Sequence, residues 1–151
     1  MVQVHEMFDI EIATREDLKD IKKLLESVEI PSDEIDAEAT TFFVMRDDSS
    51  RIIACIGLEL FTDAALITSF AVDPTHLGDG LGATLVDKSL EEAMHAGSEA
   101  VYLCTAQAPE LFQNIGFVNI DRDELPQEIR GSYVFKNDCP FVAAYMKKST
   151  Y

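Results

Sequence analysis

Three glycines at alternate positions, Gly78, Gly80 and Gly82, lie between an apolar run and an amphipathic pattern. They are the residues of this chain best placed for chemistry. A glycine has no Cβ to keep an anion away from the backbone. The first N–H groups of a helix have no partner inside it and point outward, so a glycine loop entering a helix forms a phosphate site. One glycine would mean only a turn with positive φ. Three in alternation before a well-patterned helix point to phosphate.

Spacing narrows the ligand. Gly78-x-Gly80-x-x-Ala83 formally satisfies the dinucleotide pattern G-x-G-x-x-G/A. That pattern follows closely on its strand and needs an acid about 20 residues on. Here five residues separate Val72 from Gly78, and the strand expected at Val101 to Thr105 runs into Ala106-Gln107. A P-loop is excluded as well, because Thr84 and Leu85 stand where Lys and Ser/Thr are required.

The loop needs a strand before it and a helix after it. Ile67 to Val72 is apolar apart from Thr68 and Ser69, and ends at Asp73-Pro74. From Leu81 the period becomes helical, with Gly82, Val86, Leu90 and Ala93 on one face, flanked by Leu85 and Met94. Thr84, Asp87, Lys88, Glu91 and His95 occupy the other, and Gly97 stops the helix. Upstream, Phe8 to Ile12 reads as a strand and Glu16 to Val28 as a helix capped by Thr14 and Asp17. The buried stripe of that helix is Leu18, Ile21, Leu25 and Val28. Ser32 to Ala39 reads as a short helical segment. Thr40 to Arg46 and Arg51 to Leu60 form a hairpin about Asp47-Asp48-Ser49-Ser50, and Ala64 to Val72 returns antiparallel. Glu99 to Thr105 follows the helix and is therefore parallel to its neighbour. Pro109 opens a short helix ending at Gly116, and Phe117 to Ile120 and Phe141 to Lys148 supply the last strands.

The segment Ala71-Val72-Asp73-Pro74-Thr75-His76-Leu77-Gly78-Asp79-Gly80-Leu81-Gly82 resembles the V-x-P-x-x-[RQ]-x-x-G-x-[GA] signature of the GNAT N-acetyltransferases. Leu77 stands where Arg or Gln is usual. Ala108-Pro109-Glu110-Leu111-Phe112-Gln113-Asn114-Ile115-Gly116-Phe117 resembles the family's A-x-x-F-Y-x-x-x-G-F helix. Phe112 takes the place of the tyrosine that often protonates the CoA thiolate. The C-terminal third, with Leu103-Cys104-Thr105, Asp121 to Glu124 and Leu125-Pro126, is similar to the acetyltransferase domain of N-acetylglutamate synthase. The Glu-Leu-Pro…Phe…Cys-Pro…Met-Lys pattern with Gly57-Leu58-Glu59 resembles the small acetyltransferases of arsenic-resistance operons.

The resemblance implies an α+β GNAT fold, a mixed and mostly antiparallel sheet of about seven strands flanked by helices. It implies acetyl-CoA as co-substrate and a primary amine on a small, amino-acid-like molecule as acceptor. Pantetheine would lie along Phe70, Ala71 and Val72, with Phe112 nearby. The pyrophosphate would lie on Leu77, Gly78, Asp79, Gly80, Leu81, Gly82, Ala83 and Thr84. The family often carries a glutamate on the strand before the glycine loop, but Leu66, Ile67, Thr68 and Ser69 offer none. Glu59 is the candidate base, directly or through water, and its other reading is a strand-end carboxylate facing solvent. His76 reads as a loop residue near the CoA phosphates. The rival from another class is a non-catalytic acyl-CoA-binding regulatory domain of the same fold, favoured by Leu77, Phe112 and the missing strand glutamate.

Composition sets the outer bounds. The chain of 151 residues reads as one domain, 1–151, with 47% hydrophobic and 26% charged residues. A formal charge of −16 with only 12 Lys and Arg disfavours nucleic acid and anionic membranes as partners. With no run of 18 apolar residues and no basic, apolar leader, a cytoplasmic protein is expected. Cys55, Cys104 and Cys139 lack metal-type spacing, so no metal is expected. A homodimer is compatible with this reading.

Overall fold

In a computed structural model, residues 9–30, 37–105, 109–132 and 144–150 are described. Seven strands form one sheet: β1 (Ile10–Ile12), β2 (Thr40–Arg46), β3 (Ile52–Leu60), β4 (Ala64–Val72), β5 (Ala100–Thr105), β6 (Val118–Ile120) and β7 (Ala144–Ser149). Their spatial order is β1-β2-β3-β4-β5-β7-β6. Every adjacent pair is antiparallel except β4 and β5. That exception follows from the helix α2 (Leu81–His95), which carries the chain back across the sheet. The fold is the expected α+β arrangement.

Side chains alternate across the sheet, and two sets of helices cover its faces. On one face α2 and α3 (Pro109–Ile115) pack Leu81, Leu85, Val86 and Phe112 against Phe43, Ile56, Leu58 and Ile67. On the other, α1 (Leu18–Ser27) places Ile21, Leu24 and Leu25 against Phe42, Val44, Cys55 and Ala71. Further along that face Leu125 and Ile129 cover Leu66 and Tyr102. Strand β3 is therefore covered on both sides, which explains its nearly unbroken apolar run.

Several boundaries differ from expectation for local reasons. Thr14 and Asp17 do form a capping box, with Thr14 N donating to Asp17 Oδ2 at 2.8 Å. The capped turn is a 3-10 turn over Arg15–Asp17, and α1 proper begins at Leu18. Leu24 is buried in α1 alongside Ile21 and Leu25, whereas Leu18 and Val28 are only partly covered. In α2 the buried row is Leu81, Leu85, Val86, Ser89 and Ala93. Ser89 is accommodated because its hydroxyl donates to Leu85 O at 3.1 Å, while Met94 is 52% exposed. The 3-10 turn Arg122–Glu124 and the short α4 (Gln127–Arg130) were not expected from the sequence. Phe8, most of the segment Ser32 to Ala39, Cys139 and the start of the last expected strand fall outside the described residues. Among those described, no helix is long and apolar enough to cross a membrane.

Candidate active site

Strands β4 and β5 pair only at Ala64↔Ala100, Ala65↔Val101 and Leu66↔Tyr102. Past Leu66 no further pair between them occurs among the described residues. Strand β4 stays with β3 as far as Ala54↔Val72, while β5 stays with β7 as far as Thr105↔Ala144. The two strands therefore part at their C-terminal ends, and a gap opens in the middle of the sheet. A bulge accompanies the separation: between Cys55↔Ala71 and Gly57↔Thr68, the residues Ser69 and Phe70 face the single residue Ile56. Ser69 adopts φ +51°, and its carbonyl accepts from Cys55 Sγ at 3.3 Å. An extra residue of this kind bends its strand and strengthens the local twist. Burial pushes the Cys55 thiol up to about 12, so it is an inert core group.

Backbone direction along the gap follows from one hydrogen bond. Asp73 N donates to Ile53 O at 2.7 Å, so Asp73 and, by alternation, Ala71 turn their polar groups toward β3. Val72, paired with Ala54 between them, turns its own to the opposite edge of β4. Of the three residues expected along pantetheine, the side chain of Ala71 lies in the core under α1, while Phe70 and Val72 are partly buried.

The loop that follows is fixed at its base. Asp73 Oδ1 accepts from Thr75 N at 2.9 Å and from Thr75 Oγ1 at 2.8 Å, and Arg51 Nη2 lies 3.0 Å from Asp73 Oδ2. The Thr75 hydrogen bonds, and secondarily Arg51, hold the Asp73 carboxyl below its usual range. Gly78 at φ +93° and Gly80 at φ +79° reverse the chain into α2, where Gly80 is the N-cap. A Cβ at either position would meet nothing within 4 Å, so both face open space. Thr84 caps back, with N and Oγ1 donating to Gly80 O at 3.2 and 2.9 Å. The N–H groups of Gly78, Gly80, Leu81, Gly82 and Ala83 find no acceptor among the described residues. This is a nest of amide dipoles at a helix start, and it fits the pyrophosphate of a CoA thioester. Leu81 anchors the helix with its side chain buried, whereas Leu77 is 68% exposed at the mouth of the loop.

Phe112 is 3% exposed, with its ring edge-on to Phe70 at 5.5 Å and to Phe117 at 5.7 Å. It reaches the gap through Phe70, whose ring also closes on Gly82: a Cβ there would lie 3.0 Å from Phe70 Cζ. Glu59 is buried, at 6% exposure, rather than facing solvent. It pairs with Thr40 on one side and with Leu66, the last β4 residue joined to β5, on the other. Two residues earlier, Gly57 pairs with Phe42 and Thr68, and Thr40 and Thr68 close over it. A polar strip of Thr40, Glu59 and Thr68 thus separates the apolar clusters under α1 and α4. Thr40 and Thr68 were missed from the sequence; the only signal was Gly57 inside an otherwise bulky strand.

The profile of the Acetyltransferase (GNAT) family matches residues 4–117. An amino-acid acetyltransferase of Mannheimia succiniciproducens is 24% identical over 137 residues, covering 85% of this chain and 31% of its own length. The chain thus spans about a third of the curated relatives it matches first. N-acetylglutamate synthase from Neisseria gonorrhoeae, solved with coenzyme A and N-acetyl-glutamate, superposes with a TM-score of 0.81 at 21% identity, over 95% of this chain and 35% of that one. A Mycobacterium tuberculosis protein in complex with CoA and NLQ gives 0.74 at 22% identity, over 93% of this chain and 98% of its own. With the family profile spanning most of the sequence and the parted strands and glycine loop in place, the chain belongs to the GNAT family of acetyltransferases.

Proposed function

We propose that this protein transfers an acetyl group from acetyl-CoA to the primary amine of a small, amino-acid-like acceptor. The observation that carries the reading is the gap beyond Leu66↔Tyr102, which opens beside the loop of amides at Gly78, Gly80 and the start of α2. The amino-acid acceptor is supported by the names of the relatives, and a small molecule suits a chain of charge −16 better than nucleic acid or an anionic membrane.

Acetyl-CoA supplies an activated thioester carbonyl. The loop amides hold the pyrophosphate through backbone dipoles, with no cationic side chain required at Leu77. Polar groups of Phe70 and Val72 orient the pantetheine arm, and an N–H of this edge polarises the carbonyl. Bringing both reactants into one gap supplies much of the acceleration. An ammonium acceptor must lose a proton, and Glu59 takes it. At about 3.3 Å per residue, Phe70 lies roughly 13 Å along β4 from Leu66, beside which Glu59 stands. A chain of waters over Thr68 would carry the proton along that path. Phe112 has no proton to give a leaving thiolate, so solvent provides it.

The second reading, an acyl-CoA-binding regulatory domain without turnover, draws on exposed Leu77 and on Phe112 in the tyrosine position. Thermal shift with acetyl-CoA, CoA and NADH comes first. A ligand at about 100 times its dissociation constant stabilises by roughly 2.7 kcal/mol. A rise with both CoA species and none with NADH supports the donor. Thiol release on adding amino acids then supports transfer. CoA binding without release from any amine selects the regulatory reading, and no rise with CoA rejects both.

A further inference from the structure

Asp79 puts a carboxylate in the middle of an anion loop. It stands between Gly78 and Gly80, whose N–H groups have no acceptor among the described residues. A negative charge there opposes any phosphate drawn to those amides, and the carboxylate is itself an acceptor able to cover them. Instead the side chain turns back, and Oδ2 lies 3.2 Å from His76 Nδ1. The turn builds this contact, since Asp79 N donates to His76 O at 3.3 Å. His76 stands on a fixed base: its N–H donates to Asp73 O at 2.9 Å, and Asp73 is locked by Thr75 and Arg51. An imidazole with its proton on Nδ1, charged or neutral, donates to the carboxylate.

We propose that His76 is a positioning residue of the donor site, holding the Asp79 carboxylate away from the amides of Gly78 and Gly80. Released from His76, Asp79 competes with the anionic donor, by repulsion or by occupying its amides. The inference rests on the acyl-CoA reading given above. It separates two residues of one loop by the sign of their effect: removing His76 weakens donor binding, and removing the charge of Asp79 strengthens it.

The test is calorimetric titration of CoA into the wild type, His76→Ala, Asp79→Asn and the double variant, with the melting temperature of each free protein. His76→Ala is expected to raise Kd about fivefold, the scale of one unit charge a few Å away at near-water dielectric. Asp79→Asn is expected to lower Kd by a similar factor. The double variant should match Asp79→Asn, because no charge remains for His76 to hold. The benefit of Asp79→Asn should fade in about 1 M salt, where the screening length is about 3 Å. His76→Gln, which keeps an N–H donor, should recover part of the loss. If His76→Ala weakens CoA equally with Asp or Asn at position 79, the ring acts on the ligand itself and the proposal is overturned. Weaker or unchanged binding by Asp79→Asn overturns it too. Failure of the wild type to bind CoA removes the donor reading itself, a result distinct from either of these.

Discussion

Arg51 Nη2 lies 3.0 Å from Asp73 Oδ2, tying the end of the β2–β3 turn to the base of the glycine loop. Asp47 completes the link, since its Oδ1 accepts from Arg51 N at 3.0 Å and its Oδ2 lies 3.4 Å from Arg51 Nε. The turn that reverses one hairpin thus also braces the loop through which the donor would be held. The arginine side chain is 61% exposed, so its ion pair contributes at most about 1 kcal/mol. The two Thr75 hydrogen bonds to Asp73 carry the larger share.

Asp73→Ala is expected to cost about 1–2 kcal/mol at neutral pH, as does loss of a capping side chain. The pKa of Asp73 is depressed in the folded state, so its contribution is present above the unfolded value and lost as pH falls through the folded one. The window lies below about pH 4. Urea midpoints of wild type and variant should therefore converge on acidification from neutrality, and a gap that stays constant into that range would contradict the assignment.

Gly57→Ala tests the polar strip. A Cβ at Gly57 would lie 2.5 Å from Thr68 Oγ1, 2.9 Å from Thr40 Cγ2 and 3.2 Å from Phe42 Cε1. Threonine rotamers can give way, but only by moving the hydroxyls that line the strip. Overpacking of this kind costs about 1–3 kcal/mol. The kinetic expectation is a higher KM for the amine with the KM for acetyl-CoA unchanged, because the loop lies elsewhere. A variant with both constants at wild-type values would show that the acceptor does not use this strip.

Much of this was legible beforehand because it is written in local chemistry. Gly78 and Gly80 announce positive φ, Thr14 and Asp17 announce a cap, and the period of β2, β3 and β4 announces a sheet. The parting of β4 from β5 begins after Leu66↔Tyr102, a starting point that was not readable. It is accompanied by a bulge in which Ser69, a residue that seldom adopts positive φ, turns left-handed without a glycine or proline to mark it. The burial of Ser89 and exposure of Met94 depend on how α2 is rotated against the sheet, which hydrophobicity alone does not settle. The short α4 has too few residues for a period, and Asp121, which caps the 3-10 turn before it, lies in an acidic stretch that reads as solvated surface. Glu59 was singled out as a carboxylate, but its burial follows from pairing with both Thr40 and Leu66, and pairing is long-range.

Glu59→Gln keeps the shape of the side chain and removes its basicity. Turnover at neutral pH should fall at least about tenfold, at the low end of what a positioned base contributes. Acetyl-CoA affinity, measured by titration, should remain at the wild-type value. Unchanged turnover would remove Glu59 from the mechanism. Loss of acetyl-CoA affinity would give it a structural part in the gap instead.

Gly80→Val addresses the loop, and it needs a control because it acts on the backbone as well as on the site. Gly80 sits at φ +79°, where an L residue costs about 1–2 kcal/mol and a β-branched one more. Gly97, after the other end of α2, sits at φ +87° and likewise has nothing within 4 Å of a Cβ position. Gly97→Val therefore applies comparable backbone strain to the same helix, a helix length away from the loop amides. Both variants should lower the melting temperature by similar amounts. Only Gly80→Val should abolish CoA binding, because it places a branched side chain over the N–H groups of Gly80, Leu81 and Gly82. Equal loss of binding in the two variants would trace the effect to helix stability, and retained binding in a folded Gly80→Val protein would move the donor away from this loop.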